Sequence, residues 1–311
     1  MEIPEPFLQM LQCPEAGEPL SQRGDTLVCR SNRHRFPVSP AGVPVFAETF
    51  LSADARLQRD HYDRIAGAYL RNLAYPHTME YTAYLDRVLL EAFGAREPGL
   101  LAEICCGRGE ALHLIGDRAT RAIGVDVSLK MLDAARRDFP GDTFGFIQAD
   151  ATILPLKDDL FDTVVMLGGI HHVRDRRGLF AEIFRVLKPG GVFLWREPVS
   201  DFLPWRALRS IIYRLSPTLD HETERPLLWK ETVPPLEEAG LRLRTWRTCG
   251  FLGFCLLMNS DVLVFNRGFR FIPGIRWFAR AMARFDDAVV RFPGLSRAGL
   301  QVVGVAEKSA S

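Results

Sequence analysis

Charge of one sign is what this 311-residue chain most plainly lacks: 39 Lys and Arg stand against 38 Asp and Glu, a formal net charge of +1. Such a balance supplies no whole-molecule field for steering onto nucleic acid, and leaves only local patches. Cysteine is scarce as well. Cys13, Cys29, Cys105, Cys106, Cys249 and Cys255 are too few and too scattered for a disulfide framework, which points to reduced thiols and a cytoplasmic setting. Long apolar runs are missing. The most apolar stretch, 249–265, is interrupted by Asn259, Ser260 and Asp261 and falls short of the roughly 20 residues a spanning helix needs. The opening MEIPEPFLQMLQCPE has prolines and acids where a secretory signal needs a basic and then an apolar run. There is no G-x-S-x-G elbow for a serine nucleophile and no internal repeat.

What is present is the composition of an ordinary globular protein, 47% hydrophobic and 25% charged, with room for one sizeable α/β domain and an appendage or for two modest domains. Residues 1–50 are rich in proline and turn residues and predict short strands. From Ser52 the texture becomes helical, and a second helix is expected from Met79 to Phe93. A strict alternation follows. Strands are expected at 100–104, 122–127, 144–150, 161–168 and 191–197, with helices between them, one capped by Ser128 and one running from Asp175 to Leu187. Continuously apolar strands separated by amphipathic helices mean a parallel sheet covered on both faces.

A ligand of such a sheet sits beyond the carboxyl ends of its strands. The first strand ends in Glu103-Ile104-Cys105-Cys106-Gly107-Arg108-Gly109, where two glycines let the backbone pass close to a ligand and enter a helix. The second ends in Asp126, placed for a ribose diol, and the third in Asp150, placed for an adenine amine. Each acid also has a plain reading as a cap or loop residue. Three acids at three successive strand ends are harder to dismiss.

Four segments, LLAEICCGRGEAL, IGVDVSLKMLDAAR, FIQADATILPLKDDLFDTVVMLGGIHHV and EIFRVLKPGGVFLWREP, resemble the class I S-adenosylmethionine-dependent methyltransferases, in particular those of ubiquinone and menaquinone biosynthesis. The resemblance implies S-adenosyl-L-methionine as methyl donor and a Rossmann-like, seven-stranded, mostly parallel sheet with an antiparallel last strand. By position it implies that Glu103, Cys105, Gly107 and Gly109 surround the methionine portion and Asp126, with Val127 beside it, holds the ribose. Met131, Asp150 and Ala151 would line the adenine, and Leu167 and Gly168 would approach the sulfonium. The family usually has Gly where this chain has Cys105. Tyr62 and Tyr69 lie in a stretch similar to the family's N-terminal lid; they are read either as cofactor contacts or as helix packing.

Methyl transfer needs alignment, exclusion of water and, for a hydroxyl acceptor, a base. His171, His172 and Glu197 are the candidates at the rim, against the plainer readings of a loop-fixing ring and a structural strand end. The expected domains are 1–50 and 51–311, the latter divided into lid helices 54–93, a cofactor half 100–198 and an acceptor-side half 199–311. Residues 1–50 resemble a Trm112-like zinc-ribbon module. Cys13 and Cys29 keep one member of each knuckle, Ala16 and Asn32 stand in place of the others, and His34 is available as a third donor, so no metal is expected.

Beyond 198 the chain is its own. A helix is expected at 227–239, a strand at 241–248, a helical insertion at 249–298 and a closing antiparallel strand at 300–307. In the insertion Ile275, Phe278, Met282, Phe285 and Val289 predict an apolar stripe packed on the sheet or lining a pocket, with arginines turned to water. Residues 265–298 carry seven arginines against Asp286 and Asp287, so peripheral contact with an anionic membrane is a further expectation. The leading functional expectation is methylation of oxygen or carbon on a small or lipid-like hydrophobic acceptor. Base methylation of ribosomal or transfer RNA and a non-catalytic cofactor- or partner-binding role are the alternatives, and nucleic acid is disfavoured by the charge balance.

Overall fold

A computed structural model describes residues 2–60, 63, 74–207, 225–258 and 264–310. Three short strands, β1 (Leu20–Arg23), β2 (Thr26–Cys29) and β3 (Arg35–Pro37), form an antiparallel sheet after a one-turn helix, α1 (Glu5–Leu8). The main sheet has seven strands: β4 (Leu100–Ile104), β5 (Arg121–Asp126), β6 (Phe144–Gln148), β7 (Phe161–Leu167), β8 (Leu187–Pro198), β9 (Leu241–Cys249) and β10 (Gln301–Lys308). Their order is β6-β5-β4-β7-β8-β10-β9. The pairs from β6 through β8 are parallel, and β10 runs antiparallel to both β8 and β9. The expected fold class is therefore observed, and the strand order reverses between β4 and β7, the place where sheets of this kind bind ligands at the carboxyl ends of their strands.

Helices cover the sheet: α2 (Pro76–Phe93), α3 (Glu110–Ile115), α4 (Leu129–Asp138), α5 (Arg176–Val186), α6 (Trp229–Glu238), α7 (Leu252–Leu257) and α8 (Ile275–Arg291). Local chemistry sets their ends. Ser128 caps α4 by accepting from Met131 N at 3.2 Å, and Asp175 caps α5 by accepting from Gly178 N at 2.9 Å. Pro76 opens α2, at a position where a missing N–H costs nothing, so the helix begins three residues before the expected Met79.

The first fifty residues do not form a core of their own. Phe7, Leu11, Leu27, Phe36 and Phe46 share one buried cluster with Ile123, Ile147, Ala149 and Leu156 of the large domain. Pro44 O accepts from Gln148 N at 2.9 Å and Phe46 N donates to Gln148 O at 2.8 Å, so this segment covers the edge of β6. Gly145 has no room for a side chain because Phe7 fills the space over it.

On the other side of the sheet the tightest contact is between β10 and β8. A Cβ on Gly304 would lie 2.0 Å from the indole of the fully buried Trp195. Gly304→Ala is expected to destabilise the fold by about 3 kcal/mol, the upper range for overpacking. A urea midpoint unchanged from that of the parent would show that the indole moves aside freely.

Candidate active site

The interior positions of the parallel strands are buried, but exposure returns at their carboxyl ends. Cys105, Gly107, Asp126, Val127, Leu167, Gly168, His171 and His172 are all half-buried, and they follow β4, β5 and β7, which are neighbours in the sheet. The loops are in contact: a Cβ on Gly169 would lie 2.6 Å from Cys105 Cβ. The sequence-predicted residues of these three strand ends are thus brought to neighbouring positions at one end of the sheet.

The loop after β4 is shaped by left-handed backbone. Gly107 and Gly109 have φ of 51° and 89°, and Cys105 has φ of 55°. Cys105 therefore follows a glycine-like path at the position where glycine is usual, at a cost in backbone strain of about 1–3 kcal/mol. Burial pushes its thiol pKa well up, which keeps it protonated and unreactive. Gly109 opens α3 under Phe139, which a Cβ would strike at 2.7 Å. Glu103 is buried beneath this turn and accepts from Ala111 N at 2.8 Å and Leu112 N at 3.0 Å. Both carboxylate oxygens are used to cap α3, so Glu103 positions the loop from below. Its burial pushes its pKa up to about 8.

Asp126 accepts from Gly107 N at 2.8 Å on one oxygen and from Ser128 N at 2.8 Å on the other. Each oxygen keeps a further lone pair for a diol. Burial raises its pKa, the three backbone N–H groups opposing that shift. Met131 lies under the Gly107 turn, 3.3 Å from where a Cβ on that glycine would be. Asp150 stands differently from expectation. It is buried, with Oδ1 accepting from Thr152 N and Oγ1 and Oδ2 accepting from Ser52 N at 2.9 Å. It ties the start of the helical stretch 53–60 to the sheet, a contact across 98 residues that no local pattern reveals. Ala151 is buried beside it.

The same segment is latched elsewhere. Ser128 Oγ donates to Asp63 Oδ1 at 2.5 Å, Lys130 Nζ donates to Asp63 O at 2.7 Å, and Arg174 pairs with Asp54 at 2.9 Å. The sequence reading placed a lid here but named only its tyrosines; Tyr62 and Tyr69 lie outside the described residues. The aspartates were missed because an acid on a helix is ordinarily solvated, and only the tertiary fold brings Ser128 and Arg174 to them.

At the rim, Gly168 (φ 70°) has open space where a Cβ would be. The chain then passes into a short 3-10 turn, Ile170–His172. Glu197, at the end of β8, is fully buried and holds this turn from inside. Its Oε1 accepts from Gly169 N at 2.7 Å and Ile170 N at 2.8 Å, while its Oε2 lies 2.7 Å from His171 Nδ1. Burial pushes its pKa up to about 7 against the backbone donors that lower it. Glu197 has no surface from which to reach an acceptor, so the structure moves it from candidate base to the group that orients His171. Nδ1 is thereby engaged with Glu197. The His172 ring lies against that of His171, centroids 3.8 Å apart. Arg225 N donates to His171 O, bringing the acceptor-side half against the same turn.

Cys13, Cys29 and His34 also come together, their donor atoms all within 4.8 Å. His34 Nδ1 lies 3.3 Å from Cys13 Sγ, His34 N donates to Cys29 Sγ at 3.2 Å, and Glu15 meets His34 Nε2 at 3.1 Å. The three groups are partnered by one another, by Glu15 and by Ser31.

Residues 102–195 match the family model described as a methyltransferase domain. The chain is 32% identical over 120 residues to a demethylmenaquinone methyltransferase of Renibacterium salmoninarum, covering 39% of this chain and 50% of that one. It is 32% identical over 115 residues to a 2-phytyl-1,4-naphtoquinone methyltransferase of Nostoc punctiforme, covering 35% and 48%. The chain thus spans about half the length of these curated relatives. Among solved structures, the 4+2 cyclase SpnF superposes with a TM-score of 0.58 over 83% of this chain and 97% of that one, at 19% identity. That likeness concerns the fold alone. Strand order, glycine turn and family match agree on one conclusion: residues 102–195 match a methyltransferase domain and lie in a seven-stranded, mostly parallel sheet.

Proposed function

We propose that this protein transfers a methyl group from S-adenosylmethionine to an oxygen or carbon of a small hydrophobic acceptor of quinone or lipid type. The observation that carries the reading is the cluster of half-buried residues at the neighbouring ends of β4, β5 and β7, with His171 on its buried Glu197. The donor fits the residues present. The left-handed turn at 105–109 leaves backbone for the methionine portion, Asp126 keeps lone pairs for a ribose diol, and Val127, Met131 and Ala151 offer apolar contact to a base. Open space at Gly168 beside Leu167 leaves room at the rim.

The sulfonium supplies an already activated methyl group. What the chain contributes is alignment and desolvation. Asp54 pairs with Arg174, and Asp63 meets Ser128 and Lys130, contacts suited to holding a cover against the strand ends. His171 Nε2 accepts the proton of an acceptor hydroxyl or activated carbon, while Glu197 steadies the ring through Nδ1. The quinone-type acceptor is supported by the names of the relatives, and a lipid-soluble acceptor is met at a membrane surface. RNA methylation finds less support, since the net charge of +1 offers no general attraction to phosphate.

Incubation with methyl-labelled donor, a demethylated naphthoquinone and total RNA separates the readings. Label in the organic phase is the expected result. Label in RNA would replace the proposal, and cofactor binding without label in any fraction would favour a non-catalytic role.

A further inference from the structure

The apolar stripe expected on α8 is split: Ile275 is buried and Met282 and Val289 are partly buried, but Phe278 and Phe285 are exposed. The face of α8 that is buried consists of Ile275, Ala279, Ala283, Asp286 and Val290. Small side chains let the helix lie close against α2 and α7, and Asp286 pins it there. Its carboxylate accepts from Phe251 N at 2.7 Å and from Gly253 N and Phe254 N at 3.0 Å, and it also meets the Tyr81 hydroxyl. The large side chains are left facing out. Trp277 is 70% exposed, Phe285 47% and Phe292 65%, and in the preceding 3-10 segment Val264–Phe271 the last residue is 74% exposed. Exposed large aromatics in such number within 271–292 call for a partner.

The charge beside them says which kind. On a helical wheel Trp277, Phe285 and Phe292 occupy the centre and one side of the outward face, and Arg280, Arg284 and Arg291 the other side. Between 264 and 297 there are seven arginines and two aspartates, of which Asp286 is fully buried. Arg280 and Arg291 are partly neutralised by Glu80 and Asp287. Arg276 and Arg284 have no charged partner among the described residues. An outward face half aromatic and half arginine, on a helix with a fixed underside, suits a helix lying in the plane of an anionic lipid interface.

Two other occupants fit less well. A second copy of this chain would bring arginine row against arginine row. Single-stranded nucleic acid would meet Phe278, Phe285 and Phe292 at seven-residue intervals, about 10 Å apart along a convex helix, too far for successive stacked bases. We therefore propose that the surface formed by 264–297, with Phe271, Trp277, Phe285 and Phe292 as its apolar contacts and Arg276 and Arg284 as its charges, docks the protein on anionic membranes. No helix among the described residues is long and apolar enough to cross one, so the contact is peripheral. The inference deepens the lipid-type acceptor reading, but its test requires no turnover, so the two fail separately.

The test is co-sedimentation of the full chain with vesicles of phosphatidylcholine alone and of phosphatidylcholine and phosphatidylglycerol in equal parts. Binding is expected to the mixed vesicles only and to weaken steeply with salt, because exposed charges are screened beyond about 10 Å at 0.1 M. Trp277→Ser with Phe285→Ser should lower the partition coefficient at least about tenfold. Arg276→Gln with Arg284→Gln should lower it by a similar factor at low salt. All four positions are exposed or partnerless, so melting curves should coincide with the parent's. Trp277→Phe should bind as the parent does but lose most of the fluorescence quenching by brominated lipid, which separates insertion from simple adsorption. Absence of binding, or binding indifferent to both double variants, would overturn the proposal. So would a dimer in sedimentation velocity that Trp277→Ser with Phe285→Ser dissociates.

Discussion

His171→Ala is expected to slow methyl transfer by about 10²- to 10⁴-fold, the usual contribution of a positioned base, with cofactor affinity changed less than about twofold. The asymmetry follows from placement. His171 lies on the turn after β7, and its Nδ1 is held by Glu197. Glu197→Gln tests the same pair from the buried side. An amide in its place would present N–H to Nδ1 and force the opposite tautomer, leaving Nε2 without a lone pair, so a loss of about 10²-fold or more is expected. The pH profile gives an independent reading. Because burial pushes the Glu197 carboxyl up to about 7, the parent's rate should climb as pH rises through that value, and the limb should vanish in Glu197→Gln. Turnover that survives both His171→Ala and His172→Ala would leave alignment alone as the source of the rate.

The same buried carboxyl has a consequence of opposite sign for stability. The folded protein holds the Glu197 proton more tightly than the unfolded chain, so its contribution is fully present below the ordinary carboxylate range and is lost as pH rises through about 7. Glu103, pushed up to about 8, acts in the same direction. The pH at which the rate rises is thus one at which the fold gives up some stability. Urea midpoints measured between pH 5 and pH 9 should fall, and a flat profile would show that neither group carries its proton in the folded state.

Asp126→Ala is expected to raise the dissociation constant for S-adenosylmethionine about 10- to 100-fold by calorimetry, the range of a lost hydrogen bond to a charged acceptor. Two losses combine. The ribose would lose its acceptor, and Gly107 N and Ser128 N would lose the group that holds the two turns together. Asp126→Asn keeps the size and one acceptor oxygen, so its effect should be smaller. An unchanged dissociation constant in Asp126→Ala would remove the ribose assignment altogether.

Legibility of the site differed residue by residue. Asp126 and the glycines at 107 and 109 were readable because their work is local: a strand end, a tight turn and a helix start lie within a few residues of one another. Cys105 shows the limit of reading residue type as conformation, since the thiol adopts the left-handed backbone that glycine usually supplies. Glu103, Asp150 and Glu197 were found as acids but given outward tasks. The structure turns all three inward, onto the helix start at 111–112, Ser52 N and the turn at 169–171. A sequence shows that a carboxylate ends a strand, but not which backbone donors fold over it.

The sequence by itself determined that residues 100–198 build a parallel sheet, because alternating apolar strands and amphipathic helices can bury their surface in few other ways. Only the tertiary structure decided which side of the insertion faces water. Ile275, Phe278, Met282, Phe285 and Val289 fit a helical stripe as well as Ile275, Ala279, Ala283 and Val290 do, and hydrophobicity favours the first. Close approach to α2 and α7 favours the second, since aromatic side chains there would hold the helices apart and Asp286 could not reach the backbone at 251–254. Packing distance, which no periodicity encodes, turned the aromatics outward.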